Sequence, residues 1–386
     1  MFNNNDNILN QLNLLVINMN QRGQIEYVSP SVKKLLGYEP QTLIGNGWWE
    51  LTRKNNTERI ANQTEALSLF AVEKHNGAVS FERALLTSNG ETKWILWNVL
   101  VNTDKTLVGV GQDITSRKKA EIELTAKNKE LLVKNVEITD SINYAKRIQD
   151  AYTQDPLVLR SHFTNSFILY KPRDVVSGDF YWYHKKGNKL FVAAADCTGH
   201  GVPGALMSVI AQNIIKEVVI KRNLEDPGEI LHAIDKELSI ILENEYNKAT
   251  TSDGMDIAFT VFNFDTNILA FAGAYRPLIL LRKNEIIEYK ASRYPIGFFD
   301  YTIKNFETNT ISISEGDEIY LFTDGYIDQF GGEQSKKFNR KRFYDLLLSA
   351  QSMNFNEREN YLEYALNNWK QQNDQTDDIL VIGIKI

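Results

Sequence analysis

Cysteine is almost absent from this chain, since Cys197 is its only one. A single thiol excludes an internal disulfide framework, and no Cys/His cluster has the spacing of a zinc site. Long apolar runs are also missing, because none approaches the roughly 20 residues that cross a bilayer, and the N-terminus lacks a signal-peptide pattern. We therefore expect a cytoplasmic protein without a membrane span, in which oxygen atoms hold any bound metal.

An excess of basic residues is absent too. The chain has 43 Lys and Arg against 49 Asp and Glu, for a net charge of -6, and the basic residues are dispersed. This excludes the electrostatic footprint of a nucleic-acid-binding protein, so no nucleic-acid partner is expected. At 386 residues, the chain is long enough for two domains and a connector.

Short strands and one helical patch fill roughly the first 115 residues. The strands "LLVINMN" and "QIEYVS" flank a turn at Gly23, and "SPSVKKLLGY" has a Ser/Pro helix start and a glycine stop. Later come "GAVSFERALL", "KWILWNVLV" and "TLVGVGQDIT". The pattern fits a small mixed sheet with a few helices best.

Two stretches of this region, "VSPSVKKLLGYEPQTLIGNGWWEL" and "VGQDITSRKKAEIEL", resemble a PAS sensor domain, which we assign to residues 1–116. The resemblance implies a sensory module and leaves its ligand unknown. Light-sensing flavin chemistry would need a cysteine, which this region lacks. Haem would need an axial ligand such as His75, the only histidine before His162, although a surface-loop position is the better interpretation of His75.

Residues 117–152 contain neither proline nor glycine, and apolar positions recur there every seven residues. That stripe comprises Leu124, Leu131, Ile138, Ala145 and Tyr152. The other seam position is mostly polar and comprises Glu121, Asn128, Asn135, Ile142 and Gln149. The pattern predicts a coiled-coil signalling helix over residues 117–155, pairing as a parallel homodimer through residues 117–152. A solvated spacer helix is the alternative, which a dimer measurement would decide.

The C-terminal part, residues 156–386, returns to strands that alternate with turns such as "KKGN" and "FDTN". Helical blocks are predicted at 203–222, at 227–243 and twice between 339 and 372. Strands joined by hairpins, with helices inserted as blocks, favour antiparallel sheets covered by helices. The fold class of the chain is therefore α+β, with a PAS-like sheet, a helical linker and an antiparallel β-sandwich flanked by helices.

Acidic residues stand at the ends of several apolar strands in this part. Asp179 opens "DFYWYH", Asp196 closes "LFVAAAD", Asp324 closes "EIYLFTD", and Asp377 with Asp378 precedes "ILVIGIKI". A single such aspartate is usually a turn or cap residue. If the strands share one edge, however, their carboxylates repel one another unless a cation lies among them. Carboxylate and carbonyl oxygens are the ligands that Mg²⁺ and Mn²⁺ prefer.

The segment that follows Asp196, "CTGHGVPGALM", combines two glycines with a helix start. Gly199 and Gly201 allow a sharp turn that brings backbone carbonyls to a ligand, and Pro203 is expected to begin the next helix. Cys197 then needs to contribute only its carbonyl, which leaves its thiol as a small buried apolar group.

Four motifs, "VVSGDFYW", "VAAADCTGHGVPGALMS", "LFTDGYIDQFGG" and "QTDDILVIGI", together resemble the PPM-type metal-dependent serine/threonine phosphatases of the SpoIIE-like or RsbU-like branch. The resemblance implies two Mn²⁺ or Mg²⁺ ions. Asp196 would bridge the two ions. Asp179 and the Cys197 carbonyl would complete the protein ligands of one ion. Asp324 and Asp377 would hold the other ion. Leu380 replaces the usual hydroxyl residue, and Cys197 replaces the glycine of distant relatives. Neither change removes a ligand.

By the same resemblance, the substrate is a phosphoprotein such as an anti-sigma-factor antagonist, hydrolysed by direct attack of an activated water. His200 has two interpretations of equal weight: it protonates the leaving oxygen, or it orders its turn through a hydrogen bond. Arg173 could bind phosphate, although a surface ion pair is the better interpretation. Further candidates for an outer shell or a third metal, each better explained as a cap or turn residue, are Asp253, Asp256, Asp328 and Asp378.

Two other functions compete with a regulated phosphatase. A non-catalytic scaffold would lack metal ligands, yet all four principal carboxylates are present. A sensor kinase would need a phosphate-accepting histidine in the helix and a glycine-rich nucleotide loop after it, and the sequence has neither. The sequence therefore favours the phosphatase.

Overall fold

The computed structural model describes residues 14–70, 78–242, 253–297 and 304–386. Its contacts divide the chain into two compact units, residues 1–135 and 136–386, and we describe each by itself. His75 lies outside the described residues, so its predicted position in a loop stays a prediction, as do the domain boundaries at 116/117 and 155/156.

The first unit is built on one antiparallel sheet, with strand order β2-β1-β5-β4-β3. Its strands are β1 (Leu14–Met19), β2 (Ile25–Val28), β3 (Val79–Leu86), β4 (Thr92–Val101) and β5 (Leu107–Asp113). Between β2 and β3 lie the helices α1 (Ser31–Leu36), α2 (Gly47–Leu51) and α3 (Asn56–Ser68). Gly37 ends α1 in the left-handed conformation, at φ 79°, as the sequence pattern predicts. The predicted PAS-type sheet is confirmed.

A single long helix, α4 (Thr115–Tyr152), follows β5. The first half of the predicted heptad stripe is open to solvent, since Leu124, Leu131 and Ile138 are each more than half exposed. Towards the end of α4, Ala145 is half-buried and Gln149 is fully buried within the second unit. The two halves of the helix therefore have different surroundings.

Two five-stranded antiparallel sheets form the centre of the second unit. The first, in the order β13-β10-β9-β8-β7, contains β7 (Asp179–Lys186), β8 (Lys189–Cys197), β9 (Met255–Asn263), β10 (Ile268–Ala274) and β13 (Asn309–Ser312). The second, in the order β12-β11-β14-β17-β6, contains β6 (Ser166–Lys171), β11 (Leu278–Arg282), β12 (Glu285–Tyr289), β14 (Glu318–Phe322) and β17 (Ile379–Lys385). Facing side chains of both sheets, such as Val192 and Leu380, form one buried layer.

Helices cover the outer face of each sheet. The second unit contains α5 (Pro156–His162), α6 (Gly201–Lys216, extended by a π turn over Glu217–Lys221), α7 (Pro227–Leu242), α8 (Gly325–Asp328), α9 (Arg340–Ala350) and α10 (Arg358–Lys370), with a small ribbon of β15 (Phe330–Gly331) and β16 (Lys336–Lys337). Helices α6 and α7 pack on the first sheet, and α9 and α10 on the second. Both faces of a central strand are thus buried, which explains continuous apolar runs such as that of β8. The predicted β-sandwich flanked by helices is confirmed.

The segment Gly201–Lys221 is long and apolar enough to cross a membrane by length and composition alone. Half of that window is buried, and Ala211, Ile215 and Val218 belong to the layer between the helices and the first sheet. This packing accounts for its apolar composition, as in the core helix of any α/β sandwich. Length and apolar composition alone are therefore weak evidence that this segment crosses a membrane.

Candidate metal centre

Three aspartates lie side by side at one edge of the first sheet. Asp196, near the end of β8, is in register with Asp179 at the start of β7 and with Asp256 near the start of β9. Because neighbouring strands run antiparallel, the end of β8 lies between the starts of its two partners. The structure therefore brings Asp179 and Asp196 together as the sequence predicts, and it adds Asp256, a candidate of lower rank.

Asp179 is the most buried of these acids, with 2% of its surface exposed. Burial first, and then the charge of Asp196, raise the pKa of Asp179 well above its usual range. The hydroxyl of Thr323 donates a hydrogen bond of 2.6 Å to Asp179 Oδ2 and accepts one from the Leu380 amide. Thr323 thus fixes the orientation of Asp179 and ties it to β17. Sequence reasoning did not single out Thr323.

Arg276, in the turn between β10 and β11, lies among the carboxylates. Its Nη2 is 2.8 Å from Asp196 Oδ2, 2.9 Å from Asp256 Oδ2 and 2.8 Å from Asp324 Oδ2. Burial outweighs the guanidinium in its effect on these acids, since the pKa of Asp196 is raised to about 7 and that of Asp256 to about 6. Arg276 is thus the counter-cation of the cluster, and the sequence analysis missed it.

As the side chains stand, the part of the chain that the structure describes contains no group of three His, Cys, Asp or Glu side chains ready to hold a metal ion. The guanidinium of Arg276 takes the central position instead. The donor set is nevertheless the one that hard divalent ions prefer, namely buried carboxylates whose mutual repulsion calls for a cation. The chemistry of the donor set therefore fits Mn²⁺ or Mg²⁺, and in this structure the guanidinium of Arg276 is the cation that the acids contact.

The loop after Asp196 turns through two glycines in the left-handed region, Gly199 at φ 86° and Gly201 at φ 64°. Helix α6 begins at Gly201, two residues before the expected start at Pro203. Cys197 is buried, and its pKa is raised well above its usual range by burial, as expected of an unreactive thiol. The imidazole Nδ1 of His200 lies 3.1 Å from Asp174 Oδ2 near the surface.

The two aspartates before β17 differ in their surroundings. Asp378 is buried, and its carboxylate accepts hydrogen bonds from the backbone amides of Arg173 at 2.7 Å and Gly178 at 2.8 Å. Asp377 is more open, and its pKa is raised mainly by burial, with a further contribution from Asp324 and an opposing one from Arg173. Asp377 is therefore within electrostatic reach of Asp324 and Arg173, while Asp378 braces the loop before Asp179.

The buried end of α4 contacts the same loop. The side-chain amide of Gln149 donates to the Ser177 carbonyl at 2.6 Å and to Ser208 Oγ at 3.0 Å, and its oxygen accepts from the Ser177 amide at 3.1 Å. Ser177 precedes Asp179 by two residues. Gln149 was assigned to a polar helix seam on its spacing, whereas the structure uses it to join α4 to this loop.

Two of the lower-ranked acids lie apart from these contacts. Asp328 forms an ion pair of 2.7 Å with Lys337 on the small ribbon. Asp253 is exposed, just before β9. Both positions agree with the surface roles that the sequence analysis considered the better interpretation.

Two family models match this chain. Residues 13–116 match a PAS domain, and residues 186–386 match the family described as Stage II sporulation protein E (SpoIIE). The second match covers more than half of the 386 residues. The chain therefore belongs to the SpoIIE family and carries an N-terminal PAS domain.

Individual relatives agree with this assignment. The SiaA-PP2C domain of Pseudomonas aeruginosa is similar over 65% of this chain and 98% of its own length, with 31% identity and a TM-score of 0.59. The phosphoserine phosphatase RsbU of Bacillus subtilis (strain 168) is 28% identical over 164 residues, which are 41% of this chain and 44% of RsbU. The match thus spans less than half of the length of that curated relative.

Proposed function

We propose that this chain is a signal-regulated, metal-dependent phosphoprotein phosphatase that hydrolyses phosphoserine or phosphothreonine. The observation that carries the proposal is the convergence of four aspartates at one edge of the sandwich. Asp179 is in register with Asp196, and Asp196, Asp256 and Asp324 surround the guanidinium of Arg276. Burying several acids close together costs free energy, because their negative charges repel one another. A site that binds divalent ions accounts for this cost, since the ions would offset the repulsion. Membership in the SpoIIE family and the likeness to a phosphoserine phosphatase support the same reaction.

Two Mn²⁺ or Mg²⁺ ions would be held by Asp179, the Cys197 carbonyl, Asp196, Asp324 and Asp377. When bound, such ions offset the charge on phosphoryl oxygens and lower the pKa of a coordinated water. Asp196 is the natural shared ligand, because it lies between Asp179 and the Asp256–Asp324 side of the cluster. Asp378 supports this set from behind by holding two backbone amides, and we do not assign it as a ligand.

The residues around the cluster would bind the phosphate and move the proton. Arg173 is exposed and electrostatically coupled to Asp377, and its guanidinium forms no ion pair with any residue that the structure describes. It is therefore free to bind the phosphate of the substrate. Asp174 orients the His200 ring through Nδ1, which leaves Nε2 to donate a proton to the departing serine or threonine oxygen.

The reaction is tested directly with the full chain. A phosphoserine protein, such as a phosphorylated anti-sigma-factor antagonist, is incubated with Mn²⁺, with Mg²⁺ or with EDTA, and phosphate release is measured. Metal-dependent release supports the proposal. Equal release in EDTA would contradict the metal requirement. No release from any phosphoserine or phosphothreonine protein at saturating metal would contradict the phosphatase activity and favour a non-catalytic scaffold.

Arg173→Gln should raise KM for the phosphoprotein by about tenfold or more, since a hydrogen bond to a charged group contributes about 1.5–3 kcal/mol. The Mn²⁺ affinity should change little, because Arg173 is not a ligand and solvent screens its exposed charge. Steady-state kinetics at saturating Mn²⁺ and a Mn²⁺ titration check both parts. Lys216→Gln, on α6, is the control. An unchanged KM would exclude Arg173 from phosphate binding.

The proposal also includes a parallel homodimer formed through α4. Leu124, Leu131 and Ile138 repeat at intervals of seven residues and are 61%, 57% and 57% exposed in the single chain. A second copy of the same helix is the partner that such spacing fits. Because Gln149 is buried within the phosphatase unit, the pairing would be confined to the earlier part of α4.

Leu131→Asp should weaken that dimer by at least about tenfold, since it places a charge in an apolar seam. Val133→Asp is the matched control, because Val133 is equally open at 53% exposure but points to the opposite side of the helix. Sedimentation of the full chain at several concentrations gives the dissociation constants. A monomeric wild-type chain, or equal effects of both substitutions, would contradict the dimer.

We further propose that the protein acts in the cytoplasm, where its single buried cysteine stays reduced and its phosphoprotein substrates occur. The PAS domain would supply the signal, and α4 would transmit it to the loop that carries Asp179 through Gln149. This assignment of roles follows the order of the parts along the chain.

A further inference from the structure

The PAS domain contains a partly open cavity of about 140 Å³ between its sheet and the helices α2 and α3. Its walls are mostly apolar and aromatic. Trp48 and Trp97 meet edge to face there, with ring centroids 5.8 Å apart. An apolar protein cavity of about 150 Å³ is large enough to bind benzene, so this one suits a body of about six carbon atoms.

Two polar side chains point into this apolar cavity without a partner. Arg53 and Asn62 are each 8% exposed, and both line the cavity. Arg53 Nε and Asn62 Nδ2 have no hydrogen-bond partner in the part of the chain that the structure describes. Both atoms are donors, and a buried donor without an acceptor costs free energy. The missing group is therefore an acceptor.

The charges of the cavity wall point to an anion. Arg83 forms an ion pair of 2.9 Å with Glu65, so that pair is neutral. Arg53 has no acidic side chain within 4 Å among the residues described, and its Nη1 bonds only to the oxygens of Thr52. Burial, and then the neighbouring Arg83, lower the pKa of Arg53 to about 10, so its guanidinium stays charged at neutral pH. The guanidinium lies 5.4 Å from the centroid of the Trp49 ring, and Glu58 acts on it only from beyond ion-pair distance, so Arg53 has no carboxylate in direct contact.

We propose that the PAS domain binds a small organic acid in this cavity. Its apolar body, a single ring or a short alkyl chain, lies against Trp48 and Trp97, and its carboxylate accepts hydrogen bonds from Arg53 and Asn62. The carboxylate would supply both the missing acceptor and the missing negative charge. The proposal concerns ligand binding alone and is independent of the phosphatase activity.

Isothermal titration of the full chain with benzoate tests the proposal, with benzamide and benzylamine as probes of the same size. We expect benzoate to bind at least about tenfold more tightly than neutral benzamide, and benzylamine not to bind, because the hydrogen bonds to the guanidinium are charge-assisted. Equal binding of benzoate and benzamide would overturn the carboxylate assignment. No binding of benzoate or hexanoate would mean that water alone meets the two donors, and would overturn the proposal.

Substitutions locate the site. Arg53→Met keeps an apolar stem in the cavity and should weaken benzoate binding by at least about tenfold, whereas its effect on benzamide should be small. Arg59→Met is the matched control, because Arg59 lies on α3 outside the cavity lining and pairs with Glu50 at 3.7 Å, and it should change benzoate binding less than about threefold. Circular dichroism verifies folding of each variant. Wild-type benzoate affinity in folded Arg53→Met would overturn the proposal, and the comparison of probes on the wild-type chain does not depend on either variant.

Discussion

Asp196→Asn is expected to reduce phosphoserine hydrolysis by at least about a hundredfold at saturating Mn²⁺. Asp196 is the central acid of the cluster, in register with Asp179 on one side and Asp256 on the other. Asparagine has only one side-chain oxygen and no negative charge, so the two proposed metal positions would lose their shared ligand. Metal ions contribute several kcal/mol of charge stabilisation to such reactions, and each about 1.4 kcal/mol is tenfold in rate. Phosphate release and Mn²⁺ stoichiometry on the purified chain are the measurements.

The same substitution should leave the fold intact. It removes one negative charge from a crowded cluster in which burial, and then repulsion by acids such as Asp324, raise the pKa of Asp196 to about 7. Arg276 loses one ion-pair partner but keeps Asp256 and Asp324, so the thermal midpoint without metal should not fall. Asp265→Asn is the matched control, because Asp265 lies in the turn at the other end of β9 and bonds Asn188. Full activity in folded Asp196→Asn would defeat the assignment of the metal centre.

The strands and their edges could be predicted because they carry strong local signals. Segments such as "KLFVAAAD" and "DILVIGIKI" are continuous apolar runs with sharp ends, and their strands β8 and β17 are buried on both faces. The acids mark the ends of these runs, where the strands leave the apolar layers, although Asp179 and Asp378 are themselves buried. That reasoning found Asp179, Asp196, Asp324 and Asp377, although no local pattern states which strands are neighbours.

The residues that the sequence analysis missed act through tertiary contacts. Arg276 belongs to a short turn without periodicity, and only the pairing of β10 with β9 and of β11 with β14 places it beside Asp256 and Asp324. Thr323 looks like an ordinary strand residue until its hydroxyl is seen on Asp179. Strand β13 and helix α5 were missed for a related reason, since both are short and have weak patterns.

Helix α4 illustrates how a correct pattern can hide a second role. The seven-residue spacing predicts one continuous helix, and the structure contains it. The spacing cannot distinguish a glutamine that faces a partner helix from one that enters the core of its own chain. Gln149 does the latter, because Ser177 and Ser208 offer it both acceptors and a donor. Its contacts make the end of α4 part of the support of the candidate metal centre.

Arg276→Gln should increase Mn²⁺ affinity by at least about tenfold. In the structure, the guanidinium holds the oxygens of Asp196, Asp256 and Asp324 at the point where a divalent ion would compete for them. In the wild type, a bound metal ion has to displace the guanidinium and overcome its repulsion. The substitution removes both costs, so the free energy of Mn²⁺ binding becomes more favourable. Titration of the metal-free chain, followed by the electron paramagnetic resonance of free Mn²⁺, measures the affinity without any assay of activity.

The metal-free variant should also be less stable than the wild type, because removing one partner of a buried ion pair typically costs about 3–5 kcal/mol and leaves the acids unbalanced. Its thermal midpoint should therefore fall in EDTA and rise more than that of the wild type when Mn²⁺ is added. Arg282→Gln is the control, since Arg282 forms a comparable ion pair with Asp317 away from the cluster. Unchanged or weaker Mn²⁺ binding by Arg276→Gln would show that Arg276 supports the metal ligands and does not compete with the ions.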